Sequence, residues 1–398
     1  MKTSIPPVLI TFALACFALL PQAHAVVPPP DGAYPNFTTA EGQNALQSLT
    51  TGAANTALGA YSLFSTTTAS FNTAVGAGAL DLNTGDSNTA VGVAALLLNT
   101  GTENTAVGVD ALGLNTAGEF NAAVGAFALY NNIDGNGNTA VGSSALTANT
   151  TGNSNTAIGT SALVDNVSGF ENVGIGGAAL FTNVDGHDNI AVGQAALSNN
   201  THGSNNIAVG EFAGLAVTTS NNVISIGVQG QDISDSCFIG NIFNATATGG
   251  SAVFIDANNK LGTITSSKRF KQDIKQMGTA SEALFSLKPV TFGYKKYLDP
   301  EGTTQFGLVA EDVEAVNPDL VVRDKEGKPY SVRYDQVNAM LLNEFLKEHR
   351  KVENLEATVA QQHKDFEAAV AELKGQIQKV SAQLEVSRPA RQTVKNAD

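Results

Sequence analysis

The feature that most constrains this chain is a glycine that returns every seventeen residues. It stands at Gly42, Gly59, Gly76, Gly92, Gly108, Gly125, Gly142, Gly159, Gly176, Gly193, Gly210 and Gly227, with two intervals of sixteen. Leucine follows the first ten of these by four residues, from Leu46 through Leu197, and asparagine precedes ten of them by four, from Asn55 through Asn206. The unit reads Asn-Thr-Ala-Val-Gly-x-x-Ala-Leu-x-x-Asn-Thr-x-Gly-x-x. Seventeen residues are too few for a helix pair, and each unit holds only short apolar pieces bounded by Asn and Gly. Such a unit buries its Val, Ala and Leu only by stacking on its neighbours, so the pattern predicts a β-solenoid over 41–227. The glycine suits a tight bend or a close backbone approach, and the asparagines suit stacked amide ladders. Twelve rungs at about 4.8 Å each give a column of roughly 55 Å. Handedness, and whether a rung comes from one chain or is shared between chains, stay open.

Charge divides the chain at one place. Residues 26–265 carry a single cation, Lys260, against sixteen Asp and Glu, a net charge of −15, whereas residues 266–398 hold twenty basic and twenty acidic residues. A polyanion-binding surface needs clustered Lys and Arg, so nucleic acid is excluded as a partner of the repeat. Asp81, Asp110, Asp134, Asp165 and Asp185 share no repeat position with partner ligands, which argues against calcium. The histidines are scattered, so neither a metal nor any other cofactor is expected. The Asn-Thr rows are compatible with a flat polar face for ice or sugar, but a structural ladder accounts for the same residues.

At the N-terminus, Lys2, a largely apolar run over 8–20, Pro21 and Ala23-His24-Ala25 make a secretory signal peptide over 1–25. About thirteen apolar residues are too few to span a bilayer, and no later stretch is longer, so no integral membrane segment is expected after signal removal. Residues 26–40 form a Pro-rich leader. Beyond the signal the only cysteine is Cys237, which rules out an intrachain disulfide framework and reads as a small buried hydrophobe. Residues 228–265 lose the period and break into short β-like runs, a β neck closing the solenoid.

The repeat resembles the heads of trimeric autotransporter adhesins, whose repeats carry a similar Asn-x-Val-Ala-Ile-Gly core and form trimeric left-handed β-rolls. Those repeats are usually shorter, and no counterpart of that family's membrane-anchoring barrel is expected here. A second resemblance begins at the charge boundary. Ser266-Ser267-Lys268-Arg269-Phe270-Lys271-Gln272-Asp273-Ile274 resembles the start of the endosialidase-type intramolecular chaperone, the self-cleaving C-terminal domain of phage tail spikes and tail fibres, which typically opens Ser-Asp-x-Arg-x-Lys. Leu287-Lys288-Pro289-Val290-Thr291-Phe292-Gly293-Tyr294, Phe306-Gly307-Leu308-Val309-Ala310-Glu311-Asp312-Val313 and Tyr330-Ser331-Val332-Arg333-Tyr334 continue it in the family's order. Ser267 departs from it, standing where the family often has an acidic or amide residue.

The resemblance implies a homotrimer whose chaperone domain folds the fibre and then cuts itself off. Carried onto these positions, Ser266 attacks the Thr265 carbonyl and Lys271 accepts the proton, so the scissile bond is Thr265–Ser266. Such a lysine must be partly neutral, which burial or neighbouring cations favour. Lys268 supplies positive field, and Arg269, which matches the family's Arg, either steadies the oxyanion or pairs across the trimer. Ser267 is the alternative nucleophile. A non-cleaving surface fibre that keeps its C-terminal domain as a trimerisation cap is the rival reading. A prophage tail fibre is disfavoured by the signal peptide, and no constellation for external substrates is evident.

The C-terminal module, over 266–334, reads as α+β: a short helix over 281–287, a strand over 290–294, a helix over 310–316 stopped by Asn317-Pro318, and two strands around Glu326-Gly327-Lys328. From 335 to 386 the chain turns helical. Val352, Leu355, Val359, Phe366, Val370, Leu373, Ile377, Val380 and Leu384 follow the three-four spacing of a coiled-coil seam, with a polar stutter near Gln362 and His363, and a tail over 387–398. The expected product is a secreted or cell-surface homotrimeric fibre, adhesin-like, whose carbohydrate or other host- or cell-surface ligand the sequence does not name.

Overall fold

The structure, a computed structural model, describes residues 35–387. The expected signal peptide, residues 26–34 of the leader and the tail from 388 lie outside the described residues. Contacts divide the chain into two compact units at Thr246/Ala247.

The first unit is a β-solenoid. Each rung contributes one three-residue strand, and thirteen such strands, from Thr39–Glu41 to Cys237–Ile239, pair in parallel with the rung before and the rung after. Consecutive rungs therefore come from one chain coiling on itself. The register repeats without slip, as in Thr139↔Thr156, Ala140↔Ala157 and Val141↔Ile158. Within each strand the middle residue points inward, and Ala140 and Ala157 are fully buried while the flanking side chains face out. The alanine and leucine three and four residues after the repeat glycine complete the core, as in Ala145 and Leu146.

Glycine is demanded by how closely rungs stack. Gly125 has φ 137°, and a Cβ on it would lie 2.5 Å from the carbonyl oxygen of Gly142 on the next rung. Left-handed backbone extends well beyond glycine. Leu112, Leu129 and Leu146 have φ of 51°, 53° and 54°, and Phe127, Ser144, Ser154 and Glu171 at two further corners also have φ of 55–57°. For residues with a Cβ this conformation costs roughly 1–2 kcal/mol each, so stacking between rungs imposes it against local preference.

Two buried amide ladders run through the core. In the first, each asparagine Oδ1 accepts from the backbone N–H of the equivalent asparagine one rung on, as from Asn155 to Asn138 at 3.0 Å. Its own Nδ2 donates to a carbonyl further along, as Asn155 does to Gly169 at 2.8 Å. In the second, the side chains bond directly, Asn149 Nδ2 to Asn132 Oδ1 at 2.8 Å and Asn166 Nδ2 to Asn149 Oδ1 at 2.9 Å. In the two sixteen-residue intervals the chain reaches the inner glycine one residue sooner, and Leu82–Asn83 and Leu98–Asn99 pair there as a short second parallel sheet.

The sheet continues past Gly227 because parallel pairing needs only extended backbone, and Ile224–Ile226 and Cys237–Ile239 still provide it. Cys237 is exposed, not buried: it takes the outward first position of its strand, while Phe238 takes the inward one and packs on the core. Asp232 closes the column, accepting from Thr218 Oγ1 at 2.5 Å and from the N–H groups of Thr218, Thr219 and Ser220 at 2.9, 3.1 and 2.9 Å. Burial raises its carboxyl, but these hydrogen bonds win and hold it well below the usual carboxylate range. The carboxylate stands in for the carbonyl that a further rung would offer, such as the one Thr218 itself gives Thr201.

The second unit is a small α+β body followed by a long helix. A 3-10 helix (Ala280–Ser286), an antiparallel pair (Val290–Phe292 with Gln305–Gly307), a helix (Ala310–Val316) and a second pair (Val321–Arg323 with Pro329–Val332) precede the helix Tyr334–Val386. Its core is Val313, Leu320, Val321, Val332, Val337 and Met340. Only the first turns of the long helix are buried, at Val337, Met340 and Glu344. The seam residues Val352, Leu355, Val359, Phe366, Leu373, Ile377, Val380 and Leu384 are all exposed.

Two substitutions check this account of the core. Asn149→Leu keeps the volume but leaves Asn132 Oδ1 without its donor and Asn166 Nδ2 without one acceptor, so it costs about 2 kcal/mol, read from the urea midpoint. Ser225, in the inward position that alanine holds elsewhere, is 1 % exposed with no partner for its Oγ. Ser225→Ala therefore raises stability by about 1 kcal/mol, seen as a higher melting temperature.

Candidate functional site: the serine–lysine junction

The strand Leu261–Thr263 leads through Ile264 and Thr265 into Ser266, and a single 3-10 turn, Lys268–Phe270, then folds the chain back. Phe270 N–H donates to the Ser267 carbonyl at 3.0 Å, and Lys271 N–H to the Lys268 carbonyl at 3.1 Å. With the backbone so reversed, a spacing of five residues becomes a contact: Lys271 Nζ donates to Ser266 Oγ at 3.0 Å. Ser267, in the capping position of the turn, makes no capping hydrogen bond with its side chain. The Arg269 guanidinium lies 4.6 Å from the centroid of the Phe270 ring, a cation–π contact. Lys268 is on the turn itself. All of residues 265–271 are exposed.

The arrangement holds a hydroxyl beside an amine, next to a peptide carbonyl whose residue precedes the serine. A neutral amine at that place can take the hydroxyl proton and so prepare the oxygen for attack on carbon. Among the described residues no group of three or more His, Cys, Asp or Glu side chains is placed to hold a metal ion. No described helix is long and apolar enough to cross a membrane.

Residues 266–322 match the family model described as chaperone of endosialidase. The match opens on Ser266 itself, and a β-solenoid with seventeen-residue spacing lies before it in the chain. No curated protein and no solved structure matches. The chaperone-of-endosialidase segment ends inside the strand Val321–Arg323, so it takes in the junction and most of the small α+β body but stops short of the long helix.

Downstream of the junction the structure assembles a polar cluster that sequence reasoning missed. Ser281, fully buried, donates from Oγ to Glu344 Oε1 at 2.5 Å and accepts from Asn343 Nδ2 at 2.6 Å. Lys347 pairs with Glu344 at 2.7 Å and reaches Glu282 at 3.4 Å. The cluster ties the 3-10 helix Ala280–Ser286 to the long helix across more than sixty residues. One signal was present: Glu344 continues the three-four spacing of Val337 and Met340, and a charge at a core position needs a partner. Tyr334 makes a second tie, its hydroxyl accepting from Leu308 N–H at 3.0 Å.

Lys347 and Ser281 hold the Glu344 carboxyl below the ordinary glutamate range. A carboxyl lowered on folding contributes stability that is present above its unfolded value and is lost as pH falls through its folded one. Melting temperature should therefore drop on acidification below about pH 4.5. Glu344→Gln should lower the melting temperature at pH 7 and flatten that acid limb, checked by melts of both chains over the pH series.

Proposed function

We propose that this chain is an exported, tail-fibre- or spike-like homotrimer whose C-terminal segment is an intramolecular chaperone that releases itself by cutting Thr265–Ser266. The observation that carries the reading is the Ser266–Lys271 hydrogen bond, at the residue where the chaperone-of-endosialidase match begins. In the reaction, neutral Lys271 takes the Ser266 Oγ proton as the oxygen bonds to the Thr265 carbonyl carbon. The amide to Ser266 nitrogen then breaks, and the proton passes from Lys271 to that departing amine. Water hydrolyses the resulting ester, leaving a Thr265 carboxylate and restoring the Ser266 hydroxyl. One chain is cut once, and no external substrate is involved.

The trimer rests on the seam of the long helix. Apolar residues at three-four spacing from Val352 to Leu384, nearly all exposed in a single chain, are buried by parallel copies of the same helix. Joining the copies there raises the effective concentration of everything attached to them. Export rests on the expected signal peptide over 1–25, and an adhesive role on the solenoid's long exposed sides. The ligand class consistent with that surface is a carbohydrate or another component of a host or cell surface.

Intact mass of the denatured, purified protein tests the reading. Wild type should give two fragments that join between Thr265 and Ser266, whereas Ser266→Ala and Lys271→Met should each give one full-length mass. A single full-length mass in wild type, with a trimer by light scattering, would leave a retained trimerisation cap in place of a self-cleaving one. Cleavage that survives Ser266→Ala and disappears in Ser267→Ala would move the nucleophile to Ser267.

A further inference from the structure

Every residue from 247 to 280 is exposed, yet the stretch contains a formed antiparallel hairpin, Val253–Ile255 against Leu261–Thr263. Its turn is fixed from within. The Asp256 carboxylate accepts from the N–H groups of Asn258 and Lys260 at 2.9 and 3.0 Å, and the Asp256 N–H donates to the Lys260 carbonyl at 3.1 Å. The register pairs Val253 with Thr263, Phe254 with Gly262 and Ile255 with Leu261.

Alternation along the strands puts Val253, Ile255 and Leu261 on one face, at 66 %, 63 % and 65 % exposure, with Thr263 as its one polar member. The opposite face holds Phe254 beside Gly262, where a Cβ would meet nothing within 4 Å. Both faces are thus mainly apolar, one with a projecting ring next to a bare backbone. A two-stranded hairpin is marginal in water even with one polar face, and this one has none. It needs a cover on each side. An isologous dimer covers one face of each copy, while a cyclic trimer gives every copy two neighbours. The exposed seam of the long helix, in the same unit, supplies the means of gathering copies of this chain in parallel.

We propose that the hairpin 253–263 is a trimer clasp, packed between the same hairpins of two further copies, that keeps the repeat segment trimeric after the C-terminal segment has left. The inference rests on the trimeric reading above. The hairpin ends two residues before Thr265, so it remains covalently with the repeat when the Thr265–Ser266 bond is broken. The clasp belongs to the product, and the coiled coil belongs to the assembly step.

The test uses the full chain carrying Ser266→Ala and a site-specific protease sequence inserted after Thr265, so that cutting does not depend on self-cleavage. It is made with the native hairpin and with Phe254→Asp plus Ile255→Asp, and molar mass is measured by light scattering before and after the cut. Both uncut chains should be trimers. After the cut the native repeat fragment should stay trimeric, and the variant fragment should fall three-fold in mass with its far-ultraviolet β signal unchanged. A native fragment that becomes monomeric, or a variant fragment that stays trimeric, overturns the clasp and leaves the trimeric coiled coil standing. An uncut native chain that is monomeric overturns the trimeric reading instead. If the double variant loses its β signal, Leu261→Ser is measured in its place against the same two outcomes.

Discussion

The hydrogen bond from one rung to the next is the interaction on which the repeat unit depends. Thr139 N–H donates to the Asn155 carbonyl one rung onward at 2.8 Å, and Gly142 N–H to the Val124 carbonyl one rung back at 2.8 Å. Every rung is thereby bound at strand spacing to both neighbours, and that spacing decides the rest. It leaves no room for a Cβ at a repeat glycine such as Gly125, fixes leucine in a left-handed backbone so that its side chain enters the core, and keeps the inward strand residue small on every rung before the last. Inside so narrow a core the corner peptides need hydrogen-bond partners from the chain itself. The asparagines supply those hydrogen bonds, and because each amide both gives and receives along the column, the loss of one is felt on two rungs.

A column of this kind has a problem at its ends, where a rung faces no neighbour. Here the last full rung meets residues that imitate one. Asp232 receives the N–H groups of 218–220, Ser234 Oγ receives the Asn221 N–H, and Phe238 fills the inward position with a larger side chain than any rung before it. The solenoid is complete within one chain in a way the second unit is not. There the hairpin, the helix seam, Phe285, Phe306 and Tyr330 all lie open, and exposed apolar surface of that extent marks interaction sites. Because rungs form within a chain, copies need not be interleaved to build them. In the trimer proposed above, gathering the copies would only have to align columns that are already closed.

The fold was legible where the pattern is repeated and opaque where a residue acts once. A glycine period of seventeen, with Leu and Asn at fixed offsets, implies a stacked unit whatever the details, and the two inward ladders follow from buried asparagines. The left-handed leucines were not legible, since nothing in leucine's own preference points to a φ near 52°; the constraint comes from the rung beyond. Cys237 was misjudged because hydrophobicity says that a residue is apolar and not which side of a strand it takes. At the junction the five-residue spacing of Ser266 and Lys271 was visible, and a 3-10 turn is what makes that spacing a contact. Ser281 and Asn343 gave no sign, being ordinary residues more than sixty positions apart that only the packing of two helices brings together.

The order of events follows from where the cohesive surfaces lie along the chain. In the proposed trimer the seam near the C-terminus is made last in synthesis but would gather the copies first, and lateral contact between long columns would follow once they are held at high effective concentration. While the helix is attached, dissociation of the columns is opposed by their tether and is readily reversed. Were the tether removed by the cut proposed above, that aid would go with it, and the product would stay assembled only if its own contacts already sufficed. The apolar hairpin just before Thr265, with a local turn that holds its shape, is the contact proposed above to meet that requirement without any contribution from the part that would leave.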